Sequence, residues 1–261
     1  MSNKHRRCIY RNNMLGEVIC QLRFPEILSI ETDLPARFQD AIRSIFPVYS
    51  VRKEAPPPKV TGQPGAMQVQ QQTPTNNYQF STPDGVWRVN LTSKFISLAC
   101  SRYSRWEDFA NMLDRPLVAL IQIYKPAYFE RIGLRYINFI SRQKLDMPDA
   151  MFRDLIEAPY LGILGMDNVA EQTVARCGVD SEQVLRDGCH IKIHAGPGKV
   201  TIAGKQDQEV KFVFDQDLFL LSKVTVPQSA GALETLHNHA FGIFRNAITD
   251  MLHDAMEPEE V

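Results

Sequence analysis

Period-two alternation constrains this chain more than any other feature. Residues 17–24 (EVICQLRF) set Val18, Cys20, Leu22 and Phe24 against Glu17, Ile19, Gln21 and Arg23. Residues 86–92 (VWRVNLT) set Trp87, Val89 and Leu91 against Arg88, Asn90 and Thr92. In 129–140 (FERIGLRYINFI), Ile132, Leu134, Tyr136, Asn138 and Ile140 oppose Arg131, Gly133, Arg135 and Ile137. In 189–194 (CHIKIH), Cys189, Ile191 and Ile193 oppose His190, Lys192 and His194. In 211–222 (KFVFDQDLFLLS), Phe212, Phe214, Leu218 and Leu220 oppose Asp215 and Asp217. Side chains two apart share a strand face, so each segment is a strand with one face for a core and one for water.

Helices must cover the apolar side of such a sheet. The spacing predicts helices over 33–46, with Asp33 as N-cap and Pro35 in the first turn, over 106–124, with a kink at Pro116, and over 228–253. A short helix is predicted over 149–157, further strands over 78–80, 95–100 and 168–176, and an extended segment over 48–54. Residues 55–77 are dominated by Pro, Gln, Thr and Asn, and read as a mobile loop inside the fold, because the strand pattern resumes after it. The expected class is α+β: one domain over 1–261, a mainly antiparallel sheet, and helices packed on one face. Segments 14–125 and 128–255 each read strand, helix, three strands, helix (β-α-β-β-β-α), which makes them candidate pseudo-repeats.

The formal net charge is −1, so bulk charge points to neither nucleic acid nor membrane, and any cationic site must be local. The five cysteines are scattered without a CxxC spacing, which argues against a disulfide framework or a structural zinc site. No apolar run of signal-peptide or membrane-span type occurs. A cytoplasmic protein with reduced thiols, no cofactor and no membrane partner is expected.

EVICQLRFP (17–25) and RIGLRYINFI (131–140) resemble a sporadically distributed bacterial protein family, and the resemblance extends through 38–47, 214–217 and 233–244. It implies a single-unit α+β protein linked to mobile or defence genes. It supplies no activity, cofactor or catalytic residue.

If the alternating strands share one sheet, its polar face carries Arg23, Arg88, Arg131, Arg135 and Lys192, a local cationic surface suited to phosphate or carboxylate groups. Glu17, Asp215 and Asp217 fall on the same face and could instead pair with the arginines as a cross-strand ladder. Gly133 permits close approach between Arg131 and Arg135.

Other candidates are weaker. His237 and His239 of HNH diverge by about 200° on a helix and cannot grip one ion; His237 falls in the apolar stripe and His239 in solvent. His190 and His194 lie about 13 Å apart along a strand, too far for shared coordination. GPGK (196–199) lacks phosphate-loop spacing and reads as a hairpin turn. Trp87, Tyr103 and Trp106 read as core and docking aromatics, and Cys20 and Cys100 as buried thiols. No catalytic residue or metal site is assigned. The leading expectation is a non-catalytic binding or regulatory protein engaging a macromolecular partner, either another protein or a second copy, through the polar face or the 55–77 loop. The rivals are an enzyme or sensor holding a phosphorylated or nucleotide ligand on Arg131 and Arg135, and a nucleic-acid-binding protein.

Overall fold

The computed structural model describes residues 7–54, 59–61, 68–70, 74–202 and 205–260. Among the described residues, nine strands form one antiparallel sheet: β1 (Leu15–Arg23), β2 (Val48–Glu54), β3 (Thr75–Ser81), β4 (Trp87–Leu91), β5 (Phe95–Cys100), β6 (Arg131–Ile140), β7 (Val179–Val184), β8 (His190–Ile202) and β9 (Lys205–Leu220). Their spatial order is β7-β8-β9-β6-β1-β5-β4-β3-β2. The two strands with the sharpest alternation, β1 and β6, therefore lie side by side at the centre, with Val18 opposite Tyr136 and Leu22 opposite Ile132. A strand buried on one face must hold its register, because a one-residue slip would turn every apolar side chain to water.

Six α-helices of the described residues pack against this sheet: α1 (Leu28–Thr32), α2 (Ala36–Ile42), α3 (Trp106–Tyr124), α4 (Phe152–Leu155), α5 (Ser229–Ala247) and α6 (Asp250–Ala255). The core between the layers holds Val18, Cys20 and Leu22 of β1 and Ile132 and Leu134 of β6, all fully buried, under Phe109 and Leu120 of α3 and Leu236 of α5. Two short pairs lie outside the sheet. Cys8–Tyr10 runs antiparallel to Pro258–Glu260, and Lys59–Thr61 to Gln68–Gln70. No helix among the described residues is long and apolar enough to cross a membrane.

Several sequence expectations need correction. Asp33 closes α1 and does not start a helix; α2 begins after Pro35. Residues 168–176 form no strand. A 3₁₀ turn occupies Glu171–Thr173, and the strand comes later, at Val179–Val184. GPGK is not a turn: Gly196, Pro197, Gly198 and Lys199 run inside β8, opposite Val213, Phe212, Lys211 and Val210. The predicted helix over 228–253 breaks at Ile248, which is extended and bridges to Ile156, and Thr249 restarts it by accepting from the Leu252 amide at 3.3 Å. Within the predicted 55–77 loop, Lys59–Thr61 and Gln68–Gln70 pair and Thr75–Asn77 belong to β3; residues 55–58, 62–67 and 71–73 lie outside the described residues. The two halves also differ. Among the described residues, four strands of the sheet lie between α2 and α3 but three between α4 and α5, the extra one being the 48–54 edge.

Candidate functional site

Residues opposite one another on neighbouring strands share a face, so the registers place the polar side chains in rows. One row crosses seven strands: Glu182, Lys192, Asp217, Arg135, Ile19, Ala99 and Arg88 succeed one another from β7 to β4, with Ile19 and Ala99 supplied by β1 and β5. Arg23 stands opposite Arg131. All five predicted basic residues therefore do lie on one side of one sheet.

Acids meet most of them. Arg135 grips Asp215 in a fork, Nε to Oδ1 at 2.8 Å and Nη2 to Oδ2 at 2.5 Å. Arg131 donates from Nη2 to both oxygens of Asp217, at 3.0 and 2.8 Å, while its guanidinium carbon sits 4.4 Å from the centre of the Phe219 ring. Arg88 reaches Glu17 at 3.4 Å, and Lys192 reaches Glu182 at 3.4 Å. Arg23 is exposed, and among the described residues no acid pairs with it. The pair with Asp215 raises the pKa of Arg135. Burial pushes the Asp217 carboxyl up, opposed by Arg131.

A shallow basin of about 550 Å³ opens beside this ladder, lined by Arg135, Lys192, His194, Asp180, Glu182, Asp215 and Asp217 among others. Four carboxylates face two permanent cations there, so the basin is acidic in balance and repels phosphate. The groups that reached toward a phosphorylated ligand in the sequence are held by their own carboxylates.

The remaining predicted candidates have structural places. His194 Nδ1 lies 2.7 Å from Asp180, His239 Nε2 lies 2.6 Å from Asp187, and His190 stacks on Phe219 at 5.0 Å. Trp87 packs on Phe109, and Trp106 is buried. All five cysteines are free, and burial raises the Cys20, Cys100 and Cys189 thiols, the last to about 11. Among the described residues no cluster of three or more His, Cys, Asp or Glu side chains is placed to hold a metal ion.

Two features escaped the alternation. The first is the outer edge of β2. Among the described residues this strand pairs only with β3, and it is exposed along its whole length. Tyr49 and Val51 stand opposite Phe80 and Tyr78, so they continue the apolar face of the sheet, yet they are 40% and 49% exposed. No apolar alternation of unusual strength marks VYSVRKE, since its exposure follows from sheet position. The second is a polar set on the apolar face: Tyr136 and Asn138 of β6, Gln216 of β9 and His237 of α5 are all buried. Gln216 sits between Phe214 and Leu218 in the inward-facing series, and that break in the series was the available signal. No family model matches the chain, and no curated protein matches it.

Proposed function

We propose that the chain is a non-catalytic binding or regulatory protein whose protein partner adds an extended segment along the outer edge of β2. The observation that carries this reading is the exposed continuation of the apolar face onto Tyr49 and Val51, on a strand that among the described residues is bonded on one side only. A free edge presents a row of unpaired backbone donors and acceptors, and an added strand satisfies them at a net gain of about 1 kcal/mol per bond. Burying Tyr49 and Val51 adds the hydrophobic term. Arg52 and Lys53 at the end of β2 favour an acidic partner segment and disfavour indiscriminate edge pairing. The opposite edge strand, β7, carries Asp180 and Glu182 and lacks a comparable apolar pair. The rival ligand on Arg131 and Arg135 would have to displace Asp217 and Asp215 from those arginines.

The test is a photo-crosslinker at position 51 with the attachment point mapped by mass spectrometry. Hydrogen exchange over 48–54 is measured alongside. The reading expects attachment to one extended segment, new protection of the β2 amides, and loss of both in Tyr49→Lys/Val51→Lys, which should stay folded with a modestly lowered melting temperature as Tyr49 leaves the Phe80 ring. If a complex forms and the β2 amides exchange as fast as before, the reading is wrong. A dimer by sedimentation that the double variant dissolves identifies the partner as a second copy. Binding that collapses with salt and survives the double variant would transfer the role to nucleic acid.

A further inference from the structure

A cavity of about 90 Å³ lies on the helix side of the sheet, between β6, β9, the start of α3 and the middle of α5. The segment Cys8–Tyr10, tied to Pro258–Glu260, closes one side of it. Its wall includes Met14, Trp106 and Phe244. Two polar residues of the wall each leave a buried atom without a hydrogen-bond partner among the described residues: His237 Nε2 and Gln216 Oε1. The residues are 7% and 2% exposed.

His237 is held, not loose. Its Nδ1 lies 2.8 Å from Tyr136 Oη, and its ring stacks on Trp106 at 4.6 Å and 9°. Trp106 is fixed in turn by donating from Nε1 to Glu234 at 2.9 Å. The ring is thus locked in place, with no partner for its second nitrogen among the described residues. A leucine at 216 would fill that position without an orphaned atom, and each orphan costs about 1–3 kcal/mol. Such a cost is commonly offset where a ligand completes the hydrogen bonds.

We infer that this cavity is a binding site for a small neutral amphiphile whose hydroxyl or primary-amide end hydrogen-bonds His237 Nε2 and Gln216 Oε1. Size limits the buried part to a short chain, since a dry cavity of about 150 Å³ in another protein takes one benzene. Neutrality follows from the surroundings. Gln216 Oε1 needs a donor, which a carboxylate or phosphate end cannot supply, and the wall cations Arg7 and Arg105 are both engaged by Glu107 at 2.9 Å. Burial also keeps His237 uncharged. A hydroxyl or an amide can donate and accept at once, which suits an oxygen acceptor beside an imidazole.

The experiment uses 1-butanol and isobutyramide as separate probes, with cyclopentane as the apolar control. Titrations follow the imidazole ¹⁵N resonances of the full chain. Ligands of about five heavy atoms bind near millimolar concentration, within reach of the titration. The expected result is a saturable shift of the His237 Nε2 resonance by one or both polar probes, with His190, His194 and His239 unmoved. Gln216→Leu and His237→Phe should each weaken the probe about tenfold while remaining folded. Gln216→Leu loses one orphan and keeps the reporting imidazole, so it tests the site even if His237→Phe misfolds. The inference is overturned if neither polar probe shifts His237, if cyclopentane binds as well as they do, or if Gln216→Leu binds with unchanged affinity. This outcome is independent of the β2 edge, because Tyr49→Lys/Val51→Lys leaves the cavity wall intact.

Discussion

The Arg131 side chain lies directly across Gly133. A Cβ at position 133 would stand 2.9 Å from the Arg131 guanidinium carbon and closer still to Nη1. Gly133 faces Phe219 across the β6–β9 pair, so the missing side chain opens the path by which Arg131 covers that ring and reaches Asp217. Gly133→Ala should push the guanidinium off the ring and cost about 1–2 kcal/mol by urea unfolding. In a double-mutant cycle with Asp217→Asn the two losses should be clearly less than additive. Full additivity would mean that the glycine serves something other than this pair.

The ladder should not be energetically uniform. Arg131 and Asp217 are 18% and 29% exposed, Arg135 and Asp215 are 45% and 15%, and Lys192 and Glu182 are 53% and 54%. Removing Asp217 strands a largely buried guanidinium, so Asp217→Ala should cost about 2–3 kcal/mol. Asp215→Ala should cost about 1 kcal/mol, since Arg135 can turn to water, and Lys192→Ala less than about 0.5 kcal/mol. Unfolding curves at low and high salt check the ranking, and only the Lys192 effect should vanish in salt.

His237 should write a pH dependence into stability. Burial lowers its pKa to about 4 in the folded protein, against about 6.5 when unfolded. The unfolded chain then binds the extra proton between those values. The stabilisation is therefore complete above about pH 6.5 and is lost as pH falls toward 4, with about 2 kcal/mol gone by pH 5. Comparing wild type with His237→Phe at pH 7.5 and pH 5 isolates the effect. Equal pH sensitivity in the two proteins would refute it.

Gly196 marks a close backbone crossing. A Cβ there would lie 2.6 Å from the Cys177 carbonyl oxygen, a contact that no flexible side chain can relieve. Gly196→Ala should destabilise by about 1–3 kcal/mol. Faster reaction of the Cys177 thiol with a maleimide should accompany the loss, as the 177–178 segment lifts from β8.

The parts of the fold visible in the sequence were those governed by local periodicity. Phe95–Cys100 and Trp106–Tyr124 were bounded correctly because alternation and helical spacing both change at their ends. The shared side of Arg23, Arg88, Arg131, Arg135 and Lys192 was also legible, since the parity of a strand fixes its faces. What failed depended on distant partners. Pro and Gly in GPGK resemble a turn, but their pairing with β9 holds them extended. Ile248 continues the helical stripe of α5, and only its bridge to Ile156 pulls it out. The saturation of the arginines rests on the side-by-side placement of β9 and β6, which no local pattern encodes. Gln216 was passed over because a single polar residue hardly disturbs an apolar series, whereas its position beneath His237 is a matter of packing.

The central β1–β6 pairing has a kinetic consequence. Gln21 and Arg131, which meet across it, are 110 residues apart in the chain. The runs β7-β8-β9 and β2-β3-β4-β5 can form from chain neighbours, but β1 and β6 join them, and each other, only after long loops have closed. Refolding should therefore populate two half-built flanks before the middle zips. Until it does, the inner strands β1 and β6 are themselves exposed edges, and crowding at that stage would favour mispairing between chains over completion within one.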